Sequence, residues 1–268
     1  VTVVTIGYSR YVALGDSQTE GLLDGDDNTG IHGFADRLAW RLNALQPGLH
    51  YANLAVRGRR ISDVLDRQLP LARDMNPDLI TSCIGMNDVT RPVRSFDKGL
   101  EDMRRVHTEL AATGATVVTT TFPDIARILP VGRVLSGRLR RINEVIRTDS
   151  AHFGFRLVDL SAATSMLDPA TWAIDRVHGS PHGHQLFADA AAEALGLPGS
   201  DHRWAEVEGE LVLPRLRERM YSQLMWAQNM LMPWVWRHTL GSSRGKGLEP
   251  KRPVMAPLDA RPALSEAE

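Results

Sequence analysis

Four short clusters in this chain carry residue types that, brought together, could perform nucleophilic chemistry. In Gly15-Asp16-Ser17-Gln18-Thr19-Glu20-Gly21 a serine follows a short apolar run. On a sharp strand-to-helix turn such a serine projects its hydroxyl, with its own N–H turned to the same crevice. Glycine-aspartate-serine is equally good turn and helix-capping chemistry. In Asn53-Leu54-Ala55-Val56-Arg57-Gly58, Gly58 permits a backbone conformation that points an N–H inward and removes a Cβ from a substrate's path. An ordinary loop glycine is the plainer alternative. In Gly85-Met86-Asn87-Asp88, Asn87 offers either a neutral NH2 donor suited to a developing oxyanion or an Asx turn. In Asp175-Arg176-Val177-His178 the carboxylate and the imidazole stand three residues apart. One loop turn then lets Asp175 accept from one ring nitrogen while the other faces a serine, the base-and-orienter pair that a weak serine nucleophile needs.

Such distant clusters meet only if the intervening chain builds a scaffold that gathers them. Between Arg10 and Gly196, runs rich in Val, Ile, Leu and Thr alternate with longer amphipathic segments, the rhythm of βαβ units closing a parallel sheet. Strands are expected at Tyr11 to Leu14, Tyr51 to Ala55, Leu79 to Ile84, Ala115 to Phe122 and Phe155 to Leu160. The Val-Val-Thr-Thr-Thr run of the fourth is the clearest, because β-branched residues fit a pleated surface. Between them, Phe34, Leu38, Leu42 and Leu45 recur at helical spacing. Ile61 to Met75, Phe96 to Thr113 and Val134 to Thr148 do likewise, and Gly114 is placed to stop the Phe96 to Thr113 helix before the fourth strand. Pro181 suits the first turn of a closing helix whose apolar face includes Leu186, Phe187, Ala190, Ala191 and Leu195. Each chemical cluster falls just after an expected strand or in the loop before this last helix, where open α/β sheets collect their ligands.

Taken in order, Gly-Asp-Ser, Gly, Gly-x-Asn-Asp and Asp-x-x-His resemble the blocks of the SGNH hydrolases, also called the GDSL family of esterases and lipases. The resemblance spans roughly Tyr11 to Leu195 and rests on the order of all four blocks. It implies a three-layer α/β/α sandwich around a five-stranded parallel sheet, the flavodoxin-like arrangement. By the same resemblance Ser17 is the nucleophile, His178 the general base and Asp175 the residue that orients it, while the Ser17 N–H, the Gly58 N–H and the Asn87 side chain form the oxyanion hole. No metal or cofactor is implied. One departure stands out: Gln18 occupies the place of the leucine in the literal Gly-Asp-Ser-Leu. The expected reaction is hydrolysis of a carboxylic ester, or of a thioester, through an acyl-serine. Acyl transfer to an acceptor other than water, and a catalytically silent binding or scaffold protein on the same fold, remain open. A histidine base predicts activity that falls as the pH drops through roughly 6–7.

Composition narrows the field. The 268 residues contain 43% apolar and 24% charged residues, 31 basic against 32 acidic. That balance gives no field favouring nucleic acid. The lone cysteine, Cys83, rules out an intramolecular disulfide and sits in an apolar run, where a thiol behaves as a small hydrophobe. Only three of the basic residues are Lys; Arg57, Arg59 and Arg60 follow or flank Gly58 and are read either as a solvated face or as a site for an anionic substrate. His182 and His184 lie close enough to His178 to be mistaken for the base, and His184 reads as structural. Val1 to Gly15 lacks the pattern of a secretory signal, so a cytoplasmic location is expected. Residues 1–199 form the expected catalytic domain, and Gly and Pro mark its end. A helical extension is expected over 200–240. Its segment 214–240, with Trp226, Trp234 and Trp236, would pack on the domain, cap the acyl pocket, mediate a homodimer or touch a membrane surface. Residues 241–268 read as a disordered tail.

Overall fold

The computed structural model describes residues 7–26, 30–124, 135–207 and 247–258. The run Tyr11-Val12-Ala13-Leu14 forms the buried strand β1 (Arg10–Gly15), apolar at every position because parallel strands are covered on both faces. A single helical turn, α1 (Ser17–Glu20), follows at once. A small antiparallel ribbon of β2 (Gly25–Asp26) and β3 (Gly30–Ile31) leads to α2 (Phe34–Leu45), which lays Phe34, Leu38 and Leu42 into the core. After β4 (His50–Asn53), the expected helix from Ile61 forms as α3 (Ile61–Asp63) and α4 (Leu69–Asp74), joined by a wide π turn at Val64–Gln68. Then come β5 (Leu79–Cys83), α5 (Met86–Val89), α6 (Val93–Ala111), β6 (Thr116–Thr120), α7 (Ser136–Phe153) and β7 (Arg156–Val158). The closing helix α8 (Pro181–Ala194) begins as its proline suggests, and the Ser180 hydroxyl caps it by accepting from the Gly183 N–H at 3.1 Å.

The five parallel strands lie in the order β7-β6-β5-β1-β4. Tyr11 sits opposite Tyr51 on one side and Leu79 on the other. The chain steps from β1 outward to β4, then returns across β1 to lay down β5, β6 and β7. That reversal opens a crevice beside the C-terminal end of β1, the switch point at which doubly wound sheets bind ligands. α2 packs with α8, whereas α3, α4 and α7 pack with α6, so helices make the outer two layers of the expected α/β/α sandwich.

The sheet has a sixth strand that the sequence did not lead us to expect. β8 (Arg252–Pro257) pairs antiparallel with β4, setting Tyr51 opposite Ala256 and Asn53 opposite Arg252. The expectation of a disordered tail from 241 therefore fails at these residues. Pro253 and Pro257 cannot donate to a ladder, but at a sheet edge that is no obstacle. The strand is pinned by Arg252, whose guanidinium lies 5.5 Å from the Tyr51 ring centroid, and by Lys251, which pairs with Asp36 at 2.5 Å. Of the expected extension, His202–Ala205 forms a 3-10 turn that packs against α8 through the buried Trp204. The Trp- and Met-rich segment 214–240 lies outside the described residues. No helix among the described residues is long and apolar enough to cross a membrane.

Candidate active site

The turn that carries Ser17 is built by close approach. Gly15 has φ 151°, and a Cβ there would overlap Thr19 Oγ1 and the Cys83 carbonyl, so only glycine lets β1 end against β5 at this point. The π turn delivers Gln68 to the same place. Its amide accepts from the Gly15 N–H at 2.9 Å and donates to the Gly15 carbonyl at 2.8 Å, occupying both backbone groups two residues before the serine. Asp16 then caps α1 by accepting from the Gln18 N–H at 3.2 Å. Ser17 opens the helical turn, so its N–H has no partner within the helix.

The second half of the site arrives from a loop 158 or more residues away in the chain. His178 Nε2 lies 2.7 Å from Ser17 Oγ, and His178 Nδ1 lies 2.6 Å from Asp175 Oδ2. The other carboxylate oxygen of Asp175 accepts from the N–H groups of Val177 and His178, each at 3.0 Å. Burial works to raise the Asp175 carboxyl, but the hydrogen bond and charge of His178 and the two backbone donors outweigh it. The group stays below the ordinary carboxylate value and ionised. The loop is closed on itself by a bridge between Trp172 and Gly179 and by the Ala173 N–H, which donates to the His178 carbonyl at 2.9 Å.

Gly58 takes φ 79° just beyond β4, so the glycine is needed there for its backbone conformation. The preceding residue is held firmly. The buried Glu20 carboxylate accepts from the Arg57 backbone N–H at 2.7 Å and pairs with its guanidinium at 3.0 Å. Asn87 reaches the same crevice from α5, at the end of β5. Its NH2 group donates to Asp16 Oδ2 at 3.0 Å and to the Arg59 carbonyl at 2.9 Å. Both of its hydrogens are therefore engaged at rest, and a reacting oxygen would have to share one of them. Asp16 is 3% exposed, and burial pushes its carboxyl up to about 7, against the opposing hydrogen bonds of Gln18 and Asn87 and the charge of His178.

The remaining sequence candidates fall outside this geometry. Burial, with the charge of Asp16 adding to it, pushes the Cys83 thiol up to about 12, so it is a poor nucleophile. His184 is fully buried in α8 and lowered to about 3, chiefly by burial, which keeps its ring neutral and structural. Of the three arginines near Gly58, Arg57 pairs with Glu20 and Arg59 with Asp63 at 3.4 Å. Asp88, buried beside Asn87, accepts from the Ile61 N–H at 3.1 Å and is pushed up to about 6 by burial. Among the described residues no cluster of three or more His, Cys, Asp or Glu could hold a metal ion. Sequence reading missed the supporting set of Gln18, Glu20 and Gln68. The one available signal was Gln18, a polar residue at an apolar motif position.

Comparisons with known proteins identify the family and the fold. The model of the GDSL-like lipase/acylhydrolase family matches residues 13–186, more than half of the chain. An acetylxylan esterase of Geobacillus stearothermophilus is 24% identical over 180 residues, covering 61% of this chain and 81% of that protein. A crystal structure of the acetylxylan esterase Axe2 from the same organism superposes with TM-score 0.60 at 23% identity, covering 75% of this chain and all of that one. LAE5, an alpha/beta hydrolase enzyme from the metagenome of Lake Arreo, Spain, gives TM-score 0.56 at 26% identity, over 73% of this chain and 98% of that one. Catalytic mutants of Axe2 have been solved with alanine replacing a serine, an aspartate and a histidine, the last two three residues apart. The chain belongs to the GDSL-like lipase/acylhydrolase family and is a carboxylic ester hydrolase.

Proposed function

We propose that this enzyme cleaves its ester by two acyl transfers through Ser17. The single observation that carries the reading is the unbroken relay of Ser17 Oγ, His178 and Asp175, with contacts of 2.7 and 2.6 Å. Ser17 Oγ attacks the ester carbonyl while His178 Nε2 takes its proton. His178 then gives that proton to the departing alcohol, and the acyl group stays on Ser17. Water repeats the sequence, with His178 as base, and releases the acid. Asp175 keeps the proton of the neutral imidazole on Nδ1 and favours the imidazolium formed in each transition state. The N–H groups of Ser17 and Gly58 and the Asn87 side chain are the candidate donors to the tetrahedral oxyanion, Asn87 by sharing a hydrogen with Asp16 or with the Arg59 carbonyl. The three mutated positions of Axe2 support these assignments by residue type and spacing.

The relatives also suggest a substrate class, a small acyl group, acetyl first, on a carbohydrate hydroxyl. A fluorophosphonate probe tests the nucleophile directly. It should label the parent enzyme at Ser17 and give no adduct with Ser17→Ala, whereas a silent scaffold would give none with either. A chain-length series of p-nitrophenyl esters, acyl thioesters and acetylated xylo-oligosaccharides tests the substrate. A preference for long acyl chains or for thioesters would reject the acetyl-carbohydrate reading while leaving the acyl-serine intact.

A further inference from the structure

We infer that Gln18 is a positioning residue for the reaction, holding the His178 loop in register with the nucleophile turn. The inference rests on the roles of Ser17 and His178 proposed above. Gln18 follows the serine directly, and its single planar amide grips the loop on both sides of the histidine. Nε2 donates to the Val177 carbonyl at 2.9 Å, and Oε1 accepts from the Gly179 N–H at 3.2 Å. The residues gripped are the two immediate neighbours of His178. A displacement of the imidazole along the crevice therefore strains both bonds together.

The other bonds described for this loop have a different character. Asp175 accepts from Val177 and His178, the Ala173 N–H donates to His178, and the Ser180 N–H donates to Thr171. These fix the internal shape of the loop. They do not fix its distance from α1. Across that gap stand the Ser17–His178 contact and the Gln18 amide, joined over 161 and 159 residues of chain. The first of these is consumed during turnover. Once Ser17 Oγ bears an acyl group it has no proton to share, and His178 must turn to a water. A tether that survives acylation then keeps Nε2 near the reacting carbon, and Gln18 supplies one. This accounts for the polar residue at the motif's leucine position, since a leucine could neither donate to Val177 nor accept from Gly179.

Two variants test the inference. Gln18→Met keeps the length and removes both bonds. Gln18→Glu keeps an acceptor for Gly179, loses the donor to Val177 and sets a negative charge beside the loop. For Gln18→Met we expect kcat on p-nitrophenyl acetate to fall about 10–100-fold with KM within about twofold, because a misplacement of about 1 Å costs about that much. For Gln18→Glu the acid limb of the kcat/KM profile should move to higher pH, since a nearby carboxylate favours the imidazolium. Thermal unfolding shows which variants fold, and if the methionine variant does not, the pH limb of the glutamate variant decides. Parental kcat in folded Gln18→Met, or an unmoved acid limb in Gln18→Glu, would overturn the inference. Ser17→Ala and His178→Ala run alongside. If they stay active, the acyl-serine reading itself fails; if they are dead while both Gln18 variants behave as the parent, only the tether fails.

Discussion

Replacing Asp175 by Asn leaves the side chain's size unchanged and reverses one hydrogen bond. In the parent, one carboxylate oxygen accepts from two backbone N–H groups and the other from His178 Nδ1 at 2.6 Å. The asparagine oxygen can take over the two backbone bonds, so the loop should keep its turn. Its NH2 then faces Nδ1 and favours the tautomer with the proton on Nε2. That proton points at Ser17 Oγ, 2.7 Å away, and the imidazole cannot accept the serine's own. A second loss is electrostatic. Unit charges about 4 Å apart at an effective dielectric of about 20 interact by about 4 kcal/mol, and the imidazolium formed in the transition state loses that partner. At about 1.4 kcal/mol per decade this alone is about 10³ in rate, and with the tautomer inverted the loss reaches about 10⁴. Steady-state hydrolysis of p-nitrophenyl acetate measures it, with thermal unfolding as the control for folding. Activity of Asp175→Asn within tenfold of the parent, in a folded protein, would refute the reasoning from tautomer and charge.

Three further outcomes are expected. Asn87→Ala should lower kcat about 10²–10³-fold with little change in KM if its amide serves the oxyanion; a change confined to thermal stability would reduce Asn87 to a support for Asp16 and the Arg59 carbonyl. The buried Asp16 holds its proton up to about 7 in the folded chain, against 3.8 unfolded, so folding takes up a proton between those values. Its contribution to stability is full below about pH 4 and is lost as the pH rises to about 7, on the order of 4 kcal/mol. Urea titrations across that range should show a shallower decline for Asp16→Asn than for the parent. Lys251→Met removes the ammonium that donates to the Glu20 and Ile31 carbonyls and pairs with Asp36. A loss of about 1.5–3 kcal/mol is expected in urea unfolding; an unchanged midpoint would mean that the β8 anchor contributes nothing.

The five parallel strands were legible because each needs a run of apolar or β-branched residues, and Val117-Val118-Thr119-Thr120 leaves little else to form. α8 was legible from Pro181 in a first turn. Ser17, Asp175 and His178 could be named because chemistry restricts the residue types at those places. What stayed hidden depends on partners far away in the chain. Arg252-Pro253-Val254-Met255-Ala256-Pro257 reads as a breaker-rich segment, and only an exposed sheet edge accepts such a strand. Gln68 looks like any polar residue on a helix until the π turn rotates it toward Gly15. Likewise nothing local reveals that Asn87 is engaged at rest, since its partners, Asp16 and the Arg59 carbonyl, lie 71 and 28 residues away in the chain.

The antiparallel edge strand has a consequence for biosynthesis. β4 is translated about 200 residues before its outer partner. Until residues 252–257 leave the ribosome, the nascent sheet carries a bare margin of amide and carbonyl groups, a template for pairing with other chains. A product that stops before Lys251 would thus retain every residue of the Ser17 relay and still be prone to self-association.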